Sequence, residues 1–268
     1  MTLQSPDALL DVALEAARRA AAGIREAAPR AGRIVWQEKS ATDFVSEVDL
    51  ASERLIIETV RRRVPGARML AEETATHLDP AQQAQGIVFV ADPLDGTTNF
   101  LHGYPEYAVS IGVLQEGELV AAVVIDVPGN EEFTAVRGGG TRRNGELVRV
   151  STIENPQRAL IGTGFPFKDP AAIPLYQEQM SRVMAGVSGV RRPGAASIDL
   201  ASVACGRFDA FWENLLSPWD IAAGMLLVTE AGGIVTDLAG GPCPVGHTGL
   251  VAGNPAMHAW LLRTTNGE

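Results

Sequence analysis

The nine residues Asp92-Pro93-Leu94-Asp95-Gly96-Thr97-Thr98-Asn99-Phe100 carry the densest chemistry in the chain. They follow an apolar run, Ile87-Val88-Phe89-Val90-Ala91, that reads as a buried strand. Two carboxylates, Asp92 and Asp95, therefore stand at the end of a strand and in the tight turn behind it, where Pro93 fixes one backbone angle and Gly96 relaxes another. Hydroxyls and backbone N–H groups come next. Hard cations want oxygen ligands, and a phosphate group wants cations together with N–H donors. Taken alone, such a string is also an ordinary solvated turn.

Further acidic segments argue for more than a turn. In Met69-Leu70-Ala71-Glu72-Glu73-Thr74 an apolar run again ends in acids, with Glu73 equally readable as a solvated neighbour of Glu72. In Leu216-Ser217-Pro218-Trp219-Asp220-Ile221-Ala222-Ala223-Gly224, Pro218 suits a first helical turn and Asp220 falls in the same turn. An acid there is electrostatically comfortable on structural grounds alone. Asp49 opens the helical stretch from Leu50 to Arg63, where its plain structural reading is an N-cap.

The elements that must position these groups follow from periodicity and punctuation. Helices are expected near 6–27, 48–63, 174–186, 194–206, 218–231 and 255–263. Strands are expected near 68–72, 87–92, 107–114, 119–126, 159–164, 188–192, 208–213, 233–237 and 249–252, with a hairpin over 132–148. Gly138-Gly139-Gly140 lacks the lysine and the strand–loop–helix context of a phosphate-cradling loop, so it reads as a turn. Helices alternating with strands imply a mixed α/β fold of sheets covered by helices.

The 268 residues, 46% of them hydrophobic, suffice for one large domain or two intimate halves. A net charge of −10 argues against a nucleic-acid or anionic-membrane surface, and suits a cluster of acids awaiting divalent cations that invert the local charge. Cys205 and Cys243 make no disulfide framework and lack zinc-ligand spacing; Cys205, in an apolar run, reads as a small core residue. Ser5-Pro6 begins an amphipathic helix rather than a secretory or membrane segment, so a cytoplasmic protein is expected.

Taken together, Asp92–Phe100, the paired Glu72-Glu73 and Pro218–Gly224 closely resemble the motifs of the inositol monophosphatase family of metal-dependent, lithium-sensitive sugar phosphatases, and most of all its bacterial inositol-1-monophosphatase branch. The resemblance extends to Gly162–Phe167, Arg191–Ala196, Phe211-Trp212-Glu213 and Glu230–Gly233, and runs from about Lys39 to Gly253. Ala71 departs from it, standing where many members have glycine before the paired glutamates.

The resemblance implies an αβαβα sandwich whose halves, 1–150 and 151–268, meet around the site, and a homodimer. It implies two or three magnesium ions. Glu72, Asp92 and the Leu94 carbonyl would hold the first, and Asp92, Asp95 and Asp220 the second. Asp49 and Thr97 would orient and deprotonate the attacking water, with Glu72 also in the catalytic set. The N–H groups of Gly96 and Thr97 would receive phosphate oxygens, while Asp95, Gly194, Ala195, Ala196 and Glu213 would contact substrate hydroxyls. Arg191 and Arg192 read as supporting or dimer-interface charges, and Lys39-Ser40-Ala41-Thr42 as a loop that recruits a third metal.

The implied substrate is inositol monophosphate or a similar small phosphorylated polyol or sugar, with no direct nucleic-acid or membrane partner. Fructose-1,6-bisphosphatase, histidinol-phosphatase and nucleotide 3′-phosphatase activities share the metal chemistry. A regulatory binding protein associated with transcription machinery is the alternative of another class.

Overall fold

The computed structural model of the chain describes residues 4–34, 36–40, 43–74 and 78–268. In chain order the helices are α1 (Pro6–Ala27), α2 (Glu47–Arg63), α3 (Pro80–Gln83), α4 (Thr97–Leu101), α5 (Ile173–Met184), α6 (Ala196–Ala204), α7 (Pro218–Glu230) and α8 (Pro255–Asn266). The strands of the first half of the chain are β1 (Trp36–Ser40), β2 (Asp43–Ser46), β3 (Arg68–Ala71), β4 (Ile87–Asp95), β5 (Ala108–Gln115), β6 (Glu118–Asp126), β7 (Glu131–Val136), β8 (Gly140–Arg143) and β9 (Glu146–Val148). Those of the second half are β10 (Leu160–Thr163), β11 (Gly189–Arg191), β12 (Ala210–Leu216), β13 (Ile234–Asp237) and β14 (Thr248–Gly253).

β3 to β9 form a seven-stranded sheet in sequence order, parallel between β3 and β4 and antiparallel beyond. A five-stranded mixed sheet has the order β11-β10-β12-β14-β13. β1 and β2 pair as a separate ribbon. Three cores fill the spaces. One lies between α1, α2 and the outer face of the large sheet, where Leu9, Ile24 and Ile56 meet Phe89, Ile111 and Val123. The second lies around α6 and α7, between the two sheets. The third packs α5 and α8 on the far face of the small sheet, around Trp212, Tyr176 and Leu261. The layers therefore run α, β, α, β, α.

The middle layer must be thin, because it is covered on both sides. α6 (ASIDLASVA) and the start of α7 (PWDIAAG) supply small residues at that position. At Gly112 of β5 a Cβ would come 2.8 Å from the Ala222 Cβ, so α7 crosses the sheet where neither chain has bulk.

β4 is buried along its whole length, as a strand covered on both faces must be. It also runs to Asp95, past the end expected at residue 92. Asp92 pairs with Ser110 and Asp95 with Ala108, so β4 advances three residues while β5 advances two. That extra residue is a β-bulge, and it changes which face each side chain takes. Ile87, Phe89 and Ala91 face α1 and α2, and so does Leu94 after the bulge. Asp92 keeps the facing of Val88 and Val90, and the bulge returns Asp95 to that same middle-layer side.

Candidate active site

The carboxylates predicted from sequence open onto one cleft of about 230 Å3 between the middle layer and the end of β4. Glu72, Asp92, Asp95, Asp220 and Glu213 all line it, as do Leu94, Gly96, Thr97, Gly194, Ala195 and Ala196. Asp49 does not reach the cleft wall. It is buried behind Thr97, whose hydroxyl lies 2.7 Å from Asp49 Oδ1 and 3.0 Å from the Leu94 carbonyl. Of the Lys39–Thr42 loop, Ala41 and Thr42 and the side chains of Lys39 and Ser40 lie outside the described residues.

Local structure explains each placement. Asp49 is not the N-cap expected of it. Ser46 caps α2, which starts at Glu47, and Asp49 is the third residue of the resulting capping box. Its Oδ2 accepts from the Ser46 N–H at 2.9 Å and the Ser46 hydroxyl at 2.5 Å, leaving Oδ1 for Thr97. Asp220 takes the same third position in α7 and accepts from the Ser217 N–H at 2.7 Å. Asp92 Oδ1 accepts from the Leu94 N–H at 3.0 Å, closing the bulge. Asp95 Oδ2 accepts from the Ser197 N–H at 2.8 Å and its hydroxyl at 2.6 Å, which ties the large sheet to the start of α6. Gly96, at φ +89°, makes the corner into α4; a Cβ there would sit 2.7 Å from the Glu106 carbonyl. Glu213 lies inside β12 rather than at a strand end, at the point where pairing with β14 slips between Glu213 and Leu216. A Cβ on Gly164 would come 2.0 Å from the Glu213 carboxyl carbon, so the glycine makes room for the acid.

The electrostatics are those of crowded, dehydrated acids. Burial first, and then the charges of Glu72, Asp95 and Asp220, hold Asp92 well above the usual carboxylate range. Burial lifts Asp95 to about 6 against the opposing hydrogen bonds from Ser197. Burial and the neighbouring Asp95 and Glu72 push Asp220 up to about 8, and burial with Asp220 pushes Glu213 to about 8, opposed by Arg192. Among the described residues no three acids stand close enough for a ready-made metal cage. The donor chemistry nevertheless fits a hard divalent cation: every candidate ligand is an oxygen, and Asp92, Asp95 and Asp220 would regain their ordinary acidity beside positive charge.

Several supporting residues escaped the sequence reading. Glu53, only 1% exposed, accepts from the Glu73 N–H at 2.8 Å, the Thr74 N–H at 2.9 Å and the Thr74 hydroxyl, and so fixes the loop that carries Glu72. Ser52 donates to the Pro93 carbonyl at 2.7 Å. Asn99 donates to the carbonyls of Glu106 at 2.8 Å and Pro193 at 3.0 Å, joining the two halves of the chain. The available signal was the spacing of Asp49, Ser52 and Glu53, which puts three polar groups on the helix face that also carries the buried Ile56 and Val60. Arg192, expected as a supporting or interface charge, instead lines the cleft, whereas Arg191 is exposed. The turn Gly138–Gly140 is closed by Glu230 of α7, whose carboxylate accepts the N–H groups of Gly138 and Gly140 at 2.9 and 3.0 Å. Cys205 is half-buried rather than a full core residue.

The chain is a layered α/β protein whose acids converge on one cleft from strand ends and a helix start, and comparison with known proteins gives its family. The model of the inositol monophosphatase family matches residues 5–268, and the chain belongs to that family of metal-dependent phosphatases. Among curated proteins it is 45% identical to the Nus factor SuhB of Pseudomonas aeruginosa over 96% of this chain and 95% of that one. Among solved structures it resembles the extragenic suppressor protein suhB of Bartonella henselae (38% identity, TM-score 0.91, 96% and 98% covered). It also resembles an inositol monophosphatase of Anabaena (Nostoc) sp. PCC 7120 (34%, TM-score 0.82, 97% and 95% covered). No helix among the described residues is long and apolar enough to cross a membrane.

Proposed function

We propose that the chain is a magnesium-dependent phosphomonoesterase that hydrolyses inositol monophosphate or a similar small phosphorylated polyol by direct attack of water. The observation that carries this reading is the meeting of Glu72, Asp92, Asp95 and Asp220, from distant stretches of chain, on one cleft beside the Asp49–Thr97 pair. Uncatalysed phosphate-monoester hydrolysis is so slow that the site must remove roughly 20 kcal/mol of barrier. Only positioned charge is large enough. A bound magnesium ion would supply it by neutralising phosphate oxygens, acidifying water and offsetting charge on the leaving alkoxide.

Glu72, Asp92 and the Leu94 carbonyl would hold one ion, and Asp92, Asp95 and Asp220 a second. Asp49 keeps the Thr97 hydroxyl oriented, so that Thr97 can accept a proton from the attacking water while passing its own to Asp49. The N–H groups of Gly96 and Thr97 receive phosphate oxygens. Asp95, Glu213 and the backbone at Gly194, Ala195 and Ala196 take the hydroxyls of the alcohol. The halves 1–150 and 151–268 each contribute to the site, and the protein works as a cytoplasmic homodimer.

The test is phosphate release across a panel of small monoesters, with and without magnesium and with lithium. Release that requires magnesium and favours polyol phosphates supports the reading; no release from any monoester sinks it. The name Nus factor SuhB among the relatives favours a second, regulatory reading in which the protein also joins transcription machinery. Asp95→Asn should abolish phosphate release while leaving such an association intact.

A further inference from the structure

Arg192 lies in the turn between β11 and α6 and lines the cleft. Its guanidinium carbon sits 5.1 Å from the ring centroids of both Phe165 and Phe167. Those rings meet edge to face at 5.5 Å, and Phe165 in turn meets Tyr176 of the third core at 5.5 Å. The aromatic stack braces a planar cation against the cleft. Gly194, at φ +101°, completes the arrangement: a Cβ there would come 2.5 Å from Arg192 Nη1. Among the described residues Arg192 makes no ion pair, and its Nε is buried without an acceptor. On the same wall Asp199, 1% exposed, has a buried Oδ1 without a donor. Glu213 is the third member of the group.

A braced donor beside an acceptor that the protein leaves unmatched is a half-built hydrogen-bonding set. A bare guanidinium would suit a second phosphate. This one has Glu213 and Asp199 for neighbours, and a second dianion would face both carboxyl groups. Hydroxyls meet the opposite reception, because each can donate to a carboxyl oxygen and accept from the guanidinium at once.

We propose that Arg192 is a specificity-determining residue that reads neighbouring hydroxyls of the leaving alcohol together with Glu213, selecting monophosphorylated polyols over bisphosphates. The inference rests on the phosphatase reading above and adds to it the identity of the alcohol side. The measurement is the ratio of kcat/KM for inositol 1-phosphate to that for cyclohexyl phosphate, which keeps the six-membered ring and loses every hydroxyl. Arg192→Gln should lower this ratio about 10- to 100-fold, the usual effect of losing a hydrogen bond to a charged group, chiefly through KM for the polyol. Arg192→Lys keeps the charge without the fork and should lower it less; it also serves if the glutamine variant does not fold. An unchanged ratio in both variants overturns the proposal, as does a wild-type preference for a sugar bisphosphate that Arg192→Gln removes. If the wild type with magnesium releases phosphate from no monoester, the phosphatase reading fails and this inference falls with it. Turnover with an unchanged ratio defeats the role of Arg192 alone.

Discussion

Asp220→Asn should make the metal-free protein more stable, although it removes a proposed ligand. Burial and the neighbouring charges of Asp95 and Glu72 lift the Asp220 pKa from 3.8 to about 8. A raised acid pKa means that the folded state binds more protons than the unfolded one between those values, so metal-free stability falls as pH climbs through that window. Near pH 7 keeping the proton in the folded state costs about 1.4 kcal/mol for each pH unit above the unfolded value, ~4 kcal/mol in all. The side chain keeps some exposure to the cleft, and its repulsion is shared with other acids, so about half, ~2 kcal/mol, is the expected gain. The amide oxygen can still accept from the Ser217 N–H, so the start of α7 is preserved. For a chain of this size the gain corresponds to roughly 4–8 °C in Tm. Scanning calorimetry of chelator-treated protein near pH 5 and near pH 8 should show a gap that widens with pH. Magnesium should then raise the Tm of the wild type more than that of the variant. A variant less stable than the wild type near pH 8, or a gap that does not change with pH, refutes the picture of crowded acids.

Two further outcomes follow from the supporting geometry. Glu53→Ala orphans two N–H groups and a hydroxyl, and should cost about 2–4 kcal/mol in denaturant unfolding. The same variant should weaken magnesium binding by about 10- to 100-fold in calorimetric titration, as the loop bearing Glu72 loosens. Thr97→Val and Asp49→Asn should each lower kcat by roughly 10²–10⁴, the range for a lost proton relay, while KM barely moves and the circular dichroism spectrum stays that of the wild type.

The acids of the site were legible because each sits beside local punctuation. Pro218 marks the turn that holds Asp220, and Pro93 and Gly96 bracket Asp95. The long amphipathic helix α1 and the buried strands β5 and β6 were legible for a similar reason, since periodicity is a local property. The bulge in β4 was not, because it is defined by Ser110 and Ala108 on the partner strand, and no pattern within 87–95 encodes it. Glu53 was hidden for the same kind of reason: its donors arrive from residues 73 and 74, and an isolated helical glutamate looks like solvated surface. Asp49 was found with the wrong structural part, because Ser46 lies upstream of where the apolar periodicity starts and outcompetes it as the cap. Glu213 was expected at a strand end because it closes the run Asp209-Ala210-Phe211-Trp212; β12 continues because Leu216 is drawn into the middle core.

The surplus residue of β4 makes the shared facing of the two acids depend on an irregularity. Were the pairing with β5 to become regular at constant length, strict alternation would return: Asp95 would swing toward α1 and α2, among hydrocarbon, while Asp92 stayed behind. The two acids stand three residues apart yet share a side, so loss of the irregular pairing alone, with no change in length, would part them by the thickness of a sheet. The proline, the leucine and both aspartates behave as a single heritable unit, and a designer transplanting the motif would have to carry the pairing of Ser110 and Ala108 along with it.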